Sequence, residues 1–347
     1  MKRIIGFVLF MLAATACSVH EWPVMPEKVD VVLKLDYETD MTIWEWNYEY
    51  GNLAEQGLAD TYDNSRSSGQ IRYVIRTYPI TSKSRSMSDY TQEFVFTKDI
   101  ATGYDNEVTL SIIPGEYELM VWSDLIQEDG LEHFYNTLNF DEIKLEGDYK
   151  GNDDYRDAFR GKTQMEVVSD YVEKTPETIS ITMQRPLAKY EFYSDDLQEF
   201  IDEELQYLSK MAQTKGEEIP TRVNTADYKV IIFYPGYMPN TFNVRTDKPV
   251  DSTVGIQFES QINVTNENEA SLGFDYVFVN GAEAGVTVQI GLYAKDDNRQ
   301  VALSNPITVP LIRSHHTVLR GSFLTQKASG GLVIDPSFDG NHNIVIQ

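Results

Sequence analysis

Residues 108–124, VTLSIIPGEYELMVWSD, contain two runs of alternating residues on either side of Pro114-Gly115. A period of two predicts β-strands, each with one face toward a core. Proline fixes φ and glycine accepts a positive φ, so Pro114-Gly115 fits a type II turn. Because type II turns splay tight hairpins, we expect the two strands to continue into opposite sheets of a sandwich. This stretch therefore predicts an all-β fold.

The first sixteen residues have the pattern of a secretory signal. Lys2 and Arg3 precede an uncharged apolar run, 4–14, which is shorter than the roughly 20 residues that span a bilayer. Small residues then lead into Cys17, the chain's only cysteine, in a pattern similar to the lipobox of bacterial lipoproteins. We predict a signal peptide over 1–16, lipidation of Cys17 with acyl chains such as palmitate, and a tether over 17–28. The alternative is a plain signal peptide with an incidental cysteine.

Short alternating segments separated by turn residues continue through most of the remaining chain, and 21 Tyr with 16 Phe favour strands. The exception is 195–215, where apolar residues fall at helical spacing and Gly216 marks the end. A chain of 347 residues has room for about two domains. We therefore expect two tandem β-sandwiches joined by one linker helix. The predicted divisions are an N-terminal β-sandwich over 29–194, a helix and linker over 195–226, and a C-terminal β-sandwich over 227–347.

The chain is strongly acidic, with a formal net charge of −25. Binding to nucleic acid or to anionic lipid headgroups needs patches of Lys and Arg, so this balance argues against both. A solvated acidic surface suits a protein displayed outside the cell. We therefore expect no nucleic-acid partner, and membrane contact through the N-terminal lipid.

The sequence lacks the motif spacings of common catalytic and cofactor sites, with no HExxH, no GxSxG and no glycine-rich phosphate loop. The five histidines are scattered, and in a strand the adjacent His315 and His316 would point to opposite faces. Acidic residues over 141–157 fit no EF-hand loop and indicate a solvated loop. The sequence therefore predicts a non-enzymatic protein without catalytic residues, metal or cofactor.

An aromatic row is the sharpest candidate for a binding site. If residues 42–50 are extended, four rings lie on one face, those of Trp44, Trp46, Tyr48 and Tyr50. Such a row suits stacking on sugars or on a partner's apolar strand. The alternative is that this face packs on the N-terminal core.

Several motifs, taken in order, resemble one known group. They are IIPGEYELMVWSD (112–124), MQRPLAKYEFYSDD (183–196), YPGYMPNTFNV (234–244), VPLIRSHHTVLRGSFLT (309–325) and GLVIDPSFDGNHNIVI (331–346). Together they are similar to the fimbrillin-like anchor and accessory lipoproteins of the Bacteroidales type V pilus. The resemblance covers 17–347. It implies two transthyretin-like or Ig-like Greek-key sandwiches, lipid attachment to the outer membrane, and fimbrial anchoring or adhesion at the cell surface.

The chain departs from this group just after Cys17, where it lacks the Asp-Cys-Pro start of the best-known anchors. The sequence therefore does not separate anchor, stalk and tip roles. The resemblance to this group supplies no catalytic residues.

Assembly of such a protein is expected to proceed by β-strand addition, in which a partner's extended segment completes an open sheet. The expected partners are other pilin-like subunits. Residues 343–347 are a candidate donor strand, with Ile344 and Ile346 as the side chains that enter the groove. The alternative is an ordinary closing strand of the second sandwich. The alternative function is a surface glycan-binding lipoprotein of a polysaccharide uptake system, which would use the aromatic row.

Overall fold

The structure of the protein is a computed structural model that describes residues 27–47, 52–60, 68–80, 90–104, 107–126, 134–168, 177–282 and 284–327. Within these ranges strands dominate and one α-helix is present, so the predicted all-β class with a single helix is confirmed. No helix of the described ranges is long and apolar enough to cross a membrane. The strands before the helix are β1 (Val29–Tyr37), β2 (Met41–Asn47), β3 (Asn52–Asp60), β4 (Gln70–Pro79), β5 (Gln92–Asp99), β6 (Glu107–Ile112), β7 (Gly115–Ile126), β8 (Tyr135–Asn136), β9 (Ile143–Leu145), β10 (Ala158–Val167), β11 (Glu177–Met183) and β12 (Leu187–Ser194).

The helix α1 (Leu197–Lys215) is followed by a second series of strands. These are β13 (Tyr228–Tyr234), β14 (Met238–Asn243), β15 (Lys248–Thr253), β16 (Ile256–Ser260), β17 (Asn263–Val264), β18 (Ala270–Phe278), β19 (Ala284–Ala294), β20 (Gln300–Leu303), β21 (Ile307–Leu311) and β22 (His315–Gly321).

The first sandwich packs a three-stranded sheet, ordered β11-β1-β6, against a four-stranded sheet, ordered β10-β7-β4-β5. The alternation in β1 buries Val31, Leu33 and Leu35 completely, and they join the core between the sheets. Full burial of each such side chain contributes about 1.5–3 kcal/mol. Strand β1 lies in the middle of its sheet, antiparallel to β6 and parallel to β11. The N-terminal strand is therefore integral to this sandwich.

The segment around Pro114-Gly115 passes from one sheet to the other. Strand β6 pairs with β1, whereas β7 pairs with β4 and β10, as the sequence predicted. The φ of Gly115 is +155°, which is positive but far from the roughly +80° of a type II turn. A Cβ at this position would lie 3.0 Å from the hydroxyl oxygen of Tyr117. Glycine is therefore needed here for both conformation and space.

The two sheets meet at the corner formed by β10 and β11. The backbones of Arg160 and Gln184 exchange two hydrogen bonds of 2.9 Å there. Gly161 allows this approach, because a Cβ would lie 2.5 Å from Met183 Sδ and 2.6 Å from Ile181 Cγ2. The sandwich is thus closed along this side.

The second sandwich packs a six-stranded sheet, ordered β17-β18-β12-β22-β2-β3, against β16-β13-β19-β20, with β21 also paired to β19. Its central strand β22 is parallel to both β12 and β2. The domain boundary between residues 194 and 195 stays a prediction. Strands from both sides of this boundary pair within one sheet. Strands β2, β3 and β12 precede the boundary in sequence, yet they hydrogen-bond into the sheet that contains β18 and β22. The crossing arises because pairing follows complementary edges in space rather than order along the chain.

Helix α1 packs on the edge of the second sandwich. Phe200 is buried and contacts Tyr228 edge-on, with ring centroids 5.1 Å apart. The helix ends at Gly216, whose φ of +70° is left-handed, as expected for a C-terminal cap. At the start, Asp196 does not cap the helix. Its carboxylate instead accepts hydrogen bonds from the amides of Leu324 (3.3 Å) and Thr325 (2.8 Å).

A smaller sheet, ordered β15-β14-β9-β8, joins the two sandwiches. It combines β8 and β9 from the first half of the chain with β14 and β15 from the second. Fully buried Trp122 of the first sandwich, Phe242 of the small sheet and Phe278 of the second sandwich share one apolar cluster. The two halves are therefore joined by a hydrophobic core.

Candidate functional site

On the side of the first sandwich opposite the closed corner, none of the described strands connects the two sheets. In the described chain, β5 pairs with β4 alone and β6 with β1 alone. At one end Gln92 bridges the two edges, because its Nε2 donates to the carbonyl of Ser111 (3.3 Å) and its Oε1 accepts from the amide of Ile113 (2.8 Å). At the other end buried Ile100 seals the core. We call the opening between β5 and β6 the lateral seam.

Apolar side chains line the lateral seam without being fully covered. Phe94 and Phe96 of β5 and Val108 of β6 pack on the core and are half-buried. Phe96 is held in place by stacking on Tyr73, with centroids 4.8 Å apart and an interplanar angle of 13°. Val95, on the outer face of β5, is 57% exposed. The seam thus offers two strand edges and an apolar floor.

This combination has a specific chemical use. Edge strands carry backbone amides and carbonyls that can pair with another chain, and natural proteins protect such edges unless they serve assembly. In β-augmentation the backbone bonds supply affinity, and alternate side chains of the added strand fill apolar positions. The lateral seam has both components of such pairing, strand edges and apolar positions.

A buried polar cluster lies where the two sandwiches meet. Asp275 is fully buried and accepts hydrogen bonds from Arg156, from Tyr149 and from Tyr234, the last at 2.5 Å. Tyr234 in turn lies 2.6 Å from the hydroxyl of Tyr190. Burial raises the pKa of Asp275 above the usual carboxyl value, despite the charge of Arg156. Burial alone would lower the pKa of Arg156, but the Asp275 carboxylate together with Tyr149 and Tyr135 outweighs it and the pKa is raised.

The Asp275 cluster is closed to solvent, so it offers no surface to a substrate. Burial also raises the pKa values of the three tyrosines, which keeps their hydroxyls protonated as donors. The cluster therefore fixes the segment before β10 to strand β18.

Arg185 forms a second connection between the sandwiches. Its guanidinium binds both carboxylate oxygens of Asp157, at 2.9 and 3.0 Å. Its Nη1 also donates to the carbonyls of Glu38 (3.3 Å), Thr39 (2.7 Å) and Asp40 (3.3 Å). These three residues connect β1 with β2, so one side chain holds the chain where it passes from the first sandwich to the second.

The structure describes two of the four residues of the predicted aromatic row. Trp44 and Trp46 lie in β2 and are half-buried. Trp46 packs on the core of the second sandwich, and the ring of Trp44 lies edge-on to His315, with centroids 4.6 Å apart. Tyr48 and Tyr50 lie outside the described residues. This placement favours packing, on the second core rather than the first, and glycan binding by the row stays a prediction.

The remaining predicted positions are not reached by the structure. Cys17, Ile344 and Ile346 lie outside the described residues. Within the described ranges, no group of three or more His, Cys, Asp and Glu side chains is arranged to hold a metal ion.

One buried pair was missed by sequence reasoning. His315 and His316 do diverge, as predicted for a strand, but His316 is only 6% exposed and its Nε2 lies 3.3 Å from Glu191 Oε2. Ser271 donates to the other oxygen of this carboxylate at 2.8 Å. The two residues lie on paired strands that are more than 100 residues apart in sequence. No local sequence pattern predicts a contact of this kind.

Comparison with known families places the chain. The profile of a family of unknown function, DUF6562, matches residues 26–347. The chain belongs to the DUF6562 family. A search of curated proteins finds no match to this DUF6562 member.

Several solved structures are similar to this DUF6562 chain. One is a candidate cell adhesion protein from Bacteroides eggerthii, with 9% identity, 90% of this chain and 94% of that chain covered, and a TM-score of 0.43. A candidate polysaccharide-binding protein from Bacteroides thetaiotaomicron has 10% identity, 80% coverage of both chains and a TM-score of 0.42. The fimbrial anchor protein Mfa2 from Porphyromonas gingivalis has 9% identity, 80% and 82% coverage, and a TM-score of 0.40. They come from the bacterial group that the sequence motifs resemble, and at these scores they carry no argument about function.

Proposed function

We propose that this protein is a non-enzymatic, lipid-anchored protein of the outer membrane that acts at the cell surface as a fimbrial anchor, minor subunit or adhesin. It assembles with pilin-like subunits by β-strand addition. The lateral seam is the observation that carries this proposal. Its two strand edges and apolar floor match what an added strand requires.

The energetics of the seam favour an extended, apolar segment. An added strand would cover the half-buried side chains of Phe94, Phe96 and Val108, at about 1 kcal/mol for each, or roughly half the value of full burial. Each new backbone hydrogen bond contributes about 0.5–1.5 kcal/mol. The segment fits best when apolar residues alternate, because only every second side chain faces the floor.

The test is co-expression with neighbouring pilin-like proteins, followed by purification in mild detergent. Phe94→Lys places a charge on the floor of the seam, whereas Val95→Lys places the same charge on the outer face of the same strand. We expect a non-covalent complex with the wild type and with Val95→Lys, and its loss with Phe94→Lys. Val108→Lys repeats the test from the opposite rim if Phe94→Lys does not fold. A wild type that stays monomeric, or seam variants that bind as well as Val95→Lys, would overturn the proposal.

The C-terminal segment 343–347 is the candidate strand that this protein would donate to a neighbour. Ile344 and Ile346 alternate with Val345, so the two sets would face opposite sides of an extended strand. Replacing both isoleucines by Asp should abolish binding to a partner, while Val345→Asp should have a much smaller effect. Equal effects from the two variants would contradict a donor role.

The anchor is tested at Cys17. Cys17→Ser removes the thiol that would carry diacylglycerol, so the protein should move from the outer-membrane fraction to a soluble fraction and lose labelling by palmitate. Retention of the variant in the membrane fraction would contradict lipid anchoring through Cys17.

A further inference from the structure

An open cleft lies between helix α1 and the turn that joins β19 to β20. Its residues are distant in sequence from those of the lateral seam. Its volume is about 490 Å³, within the range of ligand sites in proteins. One wall is formed by helix α1 and is mostly apolar, with Lys215 at its end. The other is mostly polar and is formed by residues 226–228, 294–297 and 299.

The helical wall presents Tyr207 and Met211, which are 36% and 38% exposed. They are four residues apart, so they lie on the same face of α1. The guanidinium of Arg299 lies 4.0 Å from the centroid of the Tyr207 ring. Glu204, only 5% exposed, holds this guanidinium by two hydrogen bonds, of 3.1 and 2.5 Å, and accepts another from Tyr228 (2.9 Å). The guanidinium is therefore held in place against the tyrosine ring before any ligand arrives.

The polar wall is fixed as well. The amide of Lys295 donates to the carbonyl of Asp227 (2.9 Å), and its Nζ donates to the carbonyl of Ala226 (3.0 Å). Asp297 accepts from the amide of Arg299 at 2.9 Å. Asp227, Lys295, Asp296 and Asp297 are exposed at the rim. A rigid wall lowers the entropic cost of binding.

We propose that this cleft binds a neutral pyranose unit of a carbohydrate. A pyranose has an apolar C–H face, which stacks on an aromatic ring, and a rim of hydroxyl groups, which both donate and accept. The mostly apolar wall with Tyr207 suits the first, and a wall that combines three carboxylates with the ammonium group of Lys295 suits the second. Arg299 covers one face of the tyrosine ring, so the sugar contacts the part of the ring that stays exposed.

Charge argues for a neutral sugar. The pair Arg299–Glu204 cancels, which leaves Lys215 and Lys295 against three carboxylates on the lining. A chain of net charge −25 also repels anions at long range. Acidic polysaccharides are therefore disfavoured on both grounds. An apolar peptide would leave the polar wall unpaired, at a cost in affinity.

The experiment uses the purified mature chain in affinity electrophoresis with three neutral polysaccharides, dextran, mannan and galactan, and with acidic polygalacturonate as a comparison. We expect at least one neutral polysaccharide, and not polygalacturonate, to retard the wild type. Tyr207→Ala should weaken that binding by about twofold to tenfold, the value of one aromatic contact. Tyr237→Ala is the matched control, because Tyr237 is 76% exposed and lies outside the cleft.

The polar wall supplies a second variant, Asp296→Ala, which removes an exposed carboxylate from the lining and should also weaken binding. The proposal is overturned if none of the neutral polysaccharides retards the chain. It is also overturned if polygalacturonate binds equally well, or if Tyr207→Ala binds like Tyr237→Ala. Since Phe94 lies in the first sandwich, Phe94→Lys should leave carbohydrate binding unchanged, so this proposal and strand addition fail separately.

Discussion

Replacing Asp275 by Asn removes the negative charge that faces Arg156 in the interior where the two sandwiches meet. Asparagine has nearly the same shape, so the change leaves no cavity, but it also replaces one accepting oxygen of Asp275 by an amide nitrogen that donates. Arg156 is 2% exposed and Asp275 is 0% exposed, so the guanidinium of the variant stays buried without a counter-charge. Breaking a buried ion pair in this way costs about 3–5 kcal/mol. Against a typical stability of about 5–15 kcal/mol, that is a large loss.

We expect Asp275→Asn to lower the free energy of unfolding by about 3 kcal/mol, near the lower end of this range. Burial already raises the pKa of Asp275, which means that the charged carboxylate carries a desolvation cost that the variant no longer bears. The hydroxyls of Tyr149 and Tyr234 can still donate to the amide oxygen. The double variant Arg156→Met, Asp275→Asn removes the isolated charge and should recover at least about 1 kcal/mol of the loss.

The assay is urea unfolding followed by tryptophan fluorescence, since Trp122 is fully buried in the apolar cluster between the sandwiches. The matched control is Asp36→Asn, which breaks the pair Lys34–Asp36, whose side chains are 47% and 49% exposed. An exposed pair contributes little, so this control should change stability by less than about 0.5 kcal/mol. If Asp275→Asn lies within about 1 kcal/mol of Asp36→Asn, the buried pair does not hold the halves together as argued.

Three further changes test other parts of the structure. Desolvation would raise the pKa of Glu191, but the imidazole of His316, the Ser271 hydroxyl and Lys189 together outweigh it and lower that pKa below its usual value of 4.5. The pair thus stabilises the fold above about pH 4.5, and this contribution is lost as the pH falls through the pKa of Glu191 in the folded state. Glu191→Gln should therefore flatten the acid side of a curve of unfolding free energy against pH. An unchanged slope would contradict this. Arg185→Lys cannot make the same set of hydrogen bonds, so residues 38–40 should be cleaved faster in limited proteolysis than in the wild type. Equal rates would contradict the role of Arg185 in holding this connection. Gly161→Ala forces a Cβ into the corner of the first sandwich and should cost about 1–3 kcal/mol in thermal unfolding. Gly236→Ala provides the control for added volume, because its φ is not positive and its added Cβ would meet no atom closer than 3.7 Å.

The local part of the fold was predictable from the sequence. Alternation over 108–124 correctly predicted two strands in opposite sheets, because Pro114 and Gly115 redirect the chain whatever surrounds them. Helical spacing predicted 195–215, and the helix occupies Leu197–Lys215. These signals are local, since side-chain periodicity and turn chemistry act over a few residues.

The partners of each strand were not predictable in the same way. The alternation in β5 is typical of a strand, but nothing in it shows that β5 is an edge, so the lateral seam was missed. Strand β2 precedes the predicted boundary by about 150 residues, yet it pairs with β22. Parallel pairing needs long connections, and the sequence of either strand does not encode its neighbour.

The sequence alone determined the class of the fold, the single helix and the change of sheet at Pro114-Gly115, although not the type of turn, because each depends on residues that are adjacent in the chain. Only the tertiary structure decided the exchange of strands between the sandwiches, the burial of Asp275 beside Arg156, and the cleft between α1 and the β19–β20 turn. Each of these joins residues that are far apart in sequence. Their free energy comes from desolvation and packing, which exist only once the chain has brought them together.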